Sequence, residues 1–158
     1  MIESVETGEQ FGTIALPVVL RDLASLGRGW RFRWIDEIQS AEVVKLIAPS
    51  LSDRILGLMA FRRHKGFIEI TLLESNPADV GQSKTFSGIA GSLIAFAAQV
   101  SFEIGGEGFV AIVAKTKLVE HYVLAYGFQR VGKTQTMSLG TIAAANLIKI
   151  YGGRPIDE

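Results

Sequence analysis

The hydrophobic and polar positions of this 158-residue chain fall into a readable order only beyond about residue 41. Residues 42–48 (EVVKLIA), 55–62 (ILGLMAFR) and 67–73 (FIEITLL) are β-branched and aliphatic runs of strand length. The tetrad Arg63-His64-Lys65-Gly66 is a short polar connection ending in glycine, so the last two runs are expected to pair as an antiparallel hairpin. Asn76-Pro77 then breaks the strand. Residues 88–104 (GIAGSLIAFAAQVSFEI) are long, rich in alanine and leucine and apolar on most sides, which predicts a buried helix stopped by Gly105-Gly106. Residues 108–113 (GFVAIV) predict a short strand. In residues 116–126 (TKLVEHYVLAY), Leu118, Val119, Tyr122 and Tyr126 share one helical face. Two short strands over 128–131 and 136–139 and an amphipathic helix over 141–150 complete the pattern.

The first forty residues are less regular. Residues 16–26 (LPVVLRDLASL) have helix-like apolar spacing, with Pro17 near the start and Gly27 and Gly29 beyond the end. Trp30, Phe32 and Trp34 then alternate with Arg31 and Arg33, which is strand periodicity. No repeat or linker divides the chain. Antiparallel strands followed by helix, strand, helix and strand predict one mixed α/β domain over residues 1–158.

Composition narrows the function. Sixteen Lys plus Arg balance sixteen Asp plus Glu, so no global field draws the chain to nucleic acid or an anionic membrane. The absence of cysteine removes thiolate catalysis and Cys-type metal sites and fits a reducing cytoplasm. His64 and His121 alone argue against a histidine metal site, and none is expected. The longest apolar stretch, residues 89–100, contains Ser92 and Gln99 and falls short of the roughly 20 residues of a membrane span. The expectation is a cytoplasmic protein that engages neither membrane nor nucleic acid.

Two stretches invite a phosphate. Residues 127–134, GFQRVGKT, spell Gly-x-x-x-x-Gly-Lys-Thr, the phosphate loop of nucleotide triphosphatases. That motif works when a strand delivers the loop and a helix begins at its Lys-Thr end. Here a helical pattern runs into Gly127 and a strand-like pattern follows Gly132, so a helix-stop glycine and a hairpin strand is the better reading. The stretch from Lys84 to Leu93 (KTFSGIAGSL) has the order the other lacks. Small residues at the start of a long helix let a ligand approach first-turn N–H groups, although they also simply permit close packing on a sheet.

The run SGIAGSLIAFA, preceded by FIEITLLES and followed by GFVAIVAKTKLVEHYVLAYGF, resembles the GCN5-related N-acetyltransferases (the GNAT family) over residues 42–139, with 140–158 a final helix and tail. The resemblance implies a mixed, mostly antiparallel sheet flanked by helices, with a cofactor cleft between two splayed central strands. The family signature Gln/Arg-x-x-Gly-x-Gly/Ala, whose backbone holds the pyrophosphate of acetyl-CoA, overlays Thr85, Phe86, Ser87, Gly88, Ile89 and Ala90, continuing into Gly91 and Ser92. Thr85 stands where Gln or Arg is usual, with Lys84 beside it. An amide near Leu73 would polarise the acetyl carbonyl. Tyr122, five residues before Gly127-Phe128, is the candidate acid for the departing thiolate. Glu74, ahead of Glu69 and His121, is the candidate base; five apart on one strand, Glu69 and Glu74 face opposite sides unless a bulge intervenes. The implied activity is transfer of acetyl from acetyl-CoA to an amine on a small molecule or protein, and a second copy of the chain is a further candidate partner. A fold that keeps CoA binding but has lost catalysis, and a nucleotide triphosphatase, are the other classes.

Overall fold

The computed structural model describes residues 1–114 and 119–152. Its core element is a seven-stranded sheet in the order β3-β4-β5-β6-β8-β10-β9. These strands are β3 (Ile14–Pro17), β4 (Glu42–Ile47), β5 (Gly57–His64), β6 (Phe67–Ser75), β8 (Val110–Val113), β9 (Gln129–Arg130) and β10 (Thr136–Leu139). Every pairing is antiparallel except the central one, β6 with β8. That exception follows from the connection: helix α3 (Ile89–Glu103) crosses from β6 to β8, and a crossover of that length is what a parallel pair requires. A smaller sheet, β2-β1-β7, joins β1 (Ile2–Ser4) and β2 (Gln10–Phe11) to β7 (Phe86–Ser87), just ahead of α3.

Both faces of the large sheet are covered. On one, α3 packs with α5 (Thr141–Tyr151) and α4 (Val119–Tyr126), and Leu93, Ile94, Ala97 and Ala98 are wholly buried. The alanine-rich, all-round apolar sequence of α3 thus reflects a helix enclosed between sheet and α5. Each fully buried Leu or Ile contributes about 1.5–3 kcal/mol. On the other face, α1 (Leu20–Ala24) and α2 (Trp34–Glu37) cover Leu58 and Ala60 with Leu23 and Trp34.

The strands β4, β5, β6, β8 and β10 and the helices α3 and α5 fall where the periodicity places them, and the β5–β6 hairpin turns at Lys65-Gly66 with His64 opposite Phe67. Two N-terminal expectations are corrected. Residues 16–26 are not one helix: Leu16 and Pro17 close edge strand β3 beside β4, and helix begins only at Leu20. Residues 30–34 are not a strand but an irregular segment running into the turn of α2. Leu118 and the start of the helix expected over 116–126 lie outside the described residues. No helix among the described residues is long and apolar enough to cross a membrane.

Gly57 sets how closely β5 approaches α3. A Cβ there would meet Ile89 Cγ2 at 2.7 Å, with the Glu74 carbonyl and Leu93 Cδ1 at 3.1 Å. Gly57→Ala is expected to destabilise the fold by about 1–3 kcal/mol through overpacking, read as a lower denaturant midpoint with unchanged slope.

Candidate functional site

The site begins with one surplus residue. In the β5–β6 ladder Ala60 faces Leu72 and Phe61 faces Ile70, so Thr71 has no counterpart. This bulge inverts the alternation of β6. Ile68 and Ile70 before it and Leu73 after it all pack with α3, whereas Leu72 turns to the α1–α2 side. The bulge also marks where the central strands part. β8 pairs with β6 only from Val110 to Ile112, opposite Ile68 to Ile70, and continues alongside β10 through Val113. From residue 71 to residue 75 the edge of β6 that faced β8 has no strand beside it among the described residues.

The gap is a cavity of about 260 Å³ lined by Thr71, Leu72, Leu73, Ile112, Val113, Ala114, Tyr122, Arg31 and Phe32. It therefore reaches residues from both faces of the sheet. Tyr122 projects from α4, edge-on to Phe128 at 5.8 Å and tilted against Tyr126 at 5.7 Å. Burial raises the pKa of its phenol, so the group keeps its proton at neutral pH. Five residues separate it from Gly127 because the end of α4 is wound wide. Around Gly127, at φ 80°, the Phe128 N–H reaches back to the Tyr122 carbonyl at 3.3 Å. The Thr71 hydroxyl is buried without a hydrogen-bond partner, which is costly unless a ligand supplies one. Nothing in the sequence pattern marks Thr71, because a bulge leaves no periodic signal.

No protein-family model matches the chain, and no curated protein matches its sequence. Solved structures do. The AtaTR toxin–antitoxin complex bound with acetyl-CoA is 13% identical, with a TM-score of 0.57 over 87% of this chain and 98% of that one. The KacTA–DNA complex is 13% identical with a TM-score of 0.59, covering 87% and 99%. The GNAT-family N-acetyltransferase YhbS from Escherichia coli, in complex with CoA, is 15% identical with a TM-score of 0.53, covering 87% of each chain.

The chain has the fold of the GNAT acetyltransferases. In that frame the cleft between β6 and β8 corresponds to the splay expected from the resemblance, and the remaining candidate residues can be placed around it.

Glu74 lies beside the cleft but is already engaged. Its carboxylate accepts from the backbone N–H of Arg31 at 2.5 Å and of Phe32 at 3.3 Å, and from Trp34 Nε1 at 2.8 Å. Three donors on two oxygens fix the 31–34 segment as a wall and explain why its alternating aromatics form no strand. The bulge puts Glu69 on the same side of the sheet as Glu74, but Glu69 sits at the hairpin, 2.9 Å from His64 Nε2. Beyond the wall, Trp30 lines a separate cavity of about 600 Å³ with Arg21, Asp22, Lys45, Arg54 and Asn76. There Asp22 accepts from Lys45 Nζ at 2.8 Å. Burial raises the Asp22 pKa, but the hydrogen bonds from Lys45 and the Val19 N–H and the charges of Lys45 and Arg21 outweigh it and hold the carboxyl below its ordinary value.

The signature segment is built differently from an open phosphate cradle. The N–H groups of Thr85 and Phe86 both donate to Asp79 Oδ1 at 3.3 Å, and Arg54 Nη2 holds Asp79 Oδ2 at 3.0 Å. Phe86 and Ser87 form β7 against Ser4 and Glu3. Gly88 takes φ 92° at the start of α3, a conformation that favours glycine. A Cβ on Gly88 would meet the Met1 carbonyl at 3.0 Å, and one on Gly91 the Tyr151 ring at 2.7 Å. Ser92 turns inward, its hydroxyl donating to the carbonyls of Met1 or Gly88 at 2.7 Å. Ile89 is buried and Ala90 half-buried. Thus the acyl–pantetheine end of acetyl-CoA has a cleft to fit, whereas the amides assigned to its pyrophosphate are partly taken by the chain itself.

The string GFQRVGKT is settled by its neighbours. α4 ends before it, a turn closed by Thr134 Oγ1 on the Val131 carbonyl occupies its second half, and β10 follows. Arg130 draws the Lys133 and Thr134 carbonyls toward its guanidinium. Carbonyls gathered on a cation, with no helix start, make no phosphate nest.

Removing the acceptor in Glu74→Ala strands three N–H donors and is expected to lower stability by about 1–3 kcal/mol, measured by chemical denaturation, with Glu74→Gln intermediate. Tyr126, beside Tyr151, has its pKa pushed up to about 12, chiefly by burial and then by Tyr151 and Tyr122. Because the folded value lies above the ordinary one near 10, its contribution is complete below about pH 10 and fades as pH rises toward about 12. Tyr126→Phe is expected to flatten the fall of thermal midpoint across that window.

Proposed function

We propose that this chain is an N-acetyltransferase that moves an acetyl group from the thioester of acetyl-CoA to an amine by direct attack in the β6–β8 cleft. The observation that carries this reading is the loss of the β6–β8 ladder after Ile70, which opens a cavity shared by a buried, unpartnered Thr71 hydroxyl and the proton-bearing phenol of Tyr122. An extended pantetheine arm can add along the unpaired edge of β6 much as a strand would. The thioester supplies an activated acyl carbon. Thr71 Oγ1 donates a hydrogen bond to the carbonyl oxygen as it gains charge, with a backbone amide near Leu73 as the second donor. Tyr122 gives its proton to the departing sulfur, and the proton lost by the attacking nitrogen passes through water to the phenolate, which restores the phenol. In this reading Glu74 is a positioning residue that holds the 31–34 wall on the acceptor side. A small-molecule amine or a protein amine remains the acceptor class.

A second reading keeps the fold and the cleft without turnover. It is favoured by Thr85 in place of Gln or Arg and by the Asp79 carboxylate on the Thr85 and Phe86 amides.

Thermal stabilisation by acetyl-CoA but not by ATP with magnesium is the expected first result; the reverse would sink both readings. Thiol release with a panel of amines then divides enzyme from binding module. In an active protein, Tyr122→Phe is expected to lower kcat about 10–100-fold while changing CoA affinity by less than about threefold. Full activity in that variant removes Tyr122 from the mechanism.

A further inference from the structure

A diphosphate bound at a helix start needs free N–H groups, close approach and a local potential that welcomes negative charge. The first turn of α3 keeps N–H groups without an intrahelical partner, but the loop ahead of it, the approach and the local potential all work against an anion. Two of the loop amides are spent on Asp79, whose side chain is wholly buried and already paired with Arg54. Strand β1 lies against Phe86 and Ser87, and Met1 and Tyr151 cover Gly88 and Gly91. The cavity of about 250 Å³ that remains beside Ser87 and Gly88 is lined by Glu3, Gln10 and Met1 and, among the described residues, by no lysine or arginine side chain. A diphosphate there would face the Glu3 carboxylate; the basic group among the described lining residues is the Met1 amine, which is already spent on Thr13, Ser92 and the Tyr151 carbonyl and which burial holds down to a pKa of about 6. Among the described residues, the cleft at Thr71 and Tyr122 carries no such obstruction.

From this contrast we propose that the protein recognises its donor through the acyl–pantetheine arm and not through the nucleotide, with Asp79 standing permanently where a donor phosphate would otherwise bind. The donor class is therefore any acyl thioester on a pantetheine arm. That chemistry has two sources besides CoA, a small free pantetheine thioester or an arm carried on a protein. The inference rests on the acyltransferase reading above and specifies the donor for the same cleft.

The test compares CoA with pantetheine for binding by calorimetry, and acetyl-CoA with S-acetylpantetheine for thiol release with one amine acceptor. A working diphosphate cradle of two or more charge-assisted hydrogen bonds favours CoA by about a hundredfold or more. The expected result is affinities and kcat/KM values within about tenfold of each other. A larger preference for CoA overturns this inference and leaves the acetyltransferase reading standing. Failure of both thiols to bind and of both thioesters to react overturns the two together. An acetylated carrier protein forms a third arm: turnover with it above that of S-acetylpantetheine assigns the protein-borne arm as the source, and turnover only with the free thioester assigns the small molecule.

Discussion

Everything at the centre of this molecule depends on the residue that β6 has in excess over β5. Thr71 has no cross-strand partner, so the alternation of side chains changes sense at that point. Ile68 and Ile70 before it and Leu73 after it can all enter the core beside α3, which a regular strand would forbid. The same inversion sends Glu74 to the opposite face, where its carboxylate gathers the 31–34 segment and the indole of Trp34. The bulge also bends the strand out of line with β8, and the parallel ladder ends there. Cleft, wall and core packing are three consequences of one insertion.

The two ends of the implied donor site then obey opposite physics. At the cleft, backbone and side-chain polar groups lack partners, and an unsatisfied buried hydroxyl is a standing cost that a ligand can relieve. Just ahead of the helix start, the amides of Thr85 and Phe86 are satisfied from within. Asp79 supplies the negative charge, Arg54 balances it, and β1 covers the segment by ordinary strand pairing. The fold is that of the solved structures the chain resembles, and around it polar groups stand open at the cleft and closed at Asp79.

How much of this was legible in the sequence follows from which features have a period. The β5–β6 hairpin, α3 and α5 were readable because apolar spacing at two or 3.6 residues extends over whole elements. β1, β2 and β7 were not, since strands of two or three residues carry no periodicity and owe their existence to pairing across long sequence separations. The alternation of Trp30, Phe32 and Trp34 misled for a definable reason. A tertiary acceptor, Glu74, took the backbone N–H groups that a strand would have needed. In the site, of the small residues at 88, 90 and 91, the two glycines stand where other atoms come close at a helix start. The atoms nearest those glycines belong to Met1 and Tyr151, which spacing alone does not foretell. The possibility of a bulge between Glu69 and Glu74 was open from their spacing, but its place at Thr71 was not.

The closed helix start is also hard to reopen by mass action. Asp79 lies only six and seven residues from the amides it holds, so its carboxylate reaches them without loss of translational freedom. A tether that short corresponds to an effective concentration on the order of millimolar or above. A free diphosphate must exceed that local concentration, displace a carboxylate from Arg54 and enter beside Glu3, with no lysine or arginine side chain among the described residues of the cavity wall and a Met1 amine that is already engaged. Among the described residues no such competitor stands at the cleft. A ligand arriving there meets a strand edge unpaired among the described residues and an unpartnered hydroxyl, so on the proposed acyltransferase reading the binding free energy available to a donor is concentrated at its reacting end.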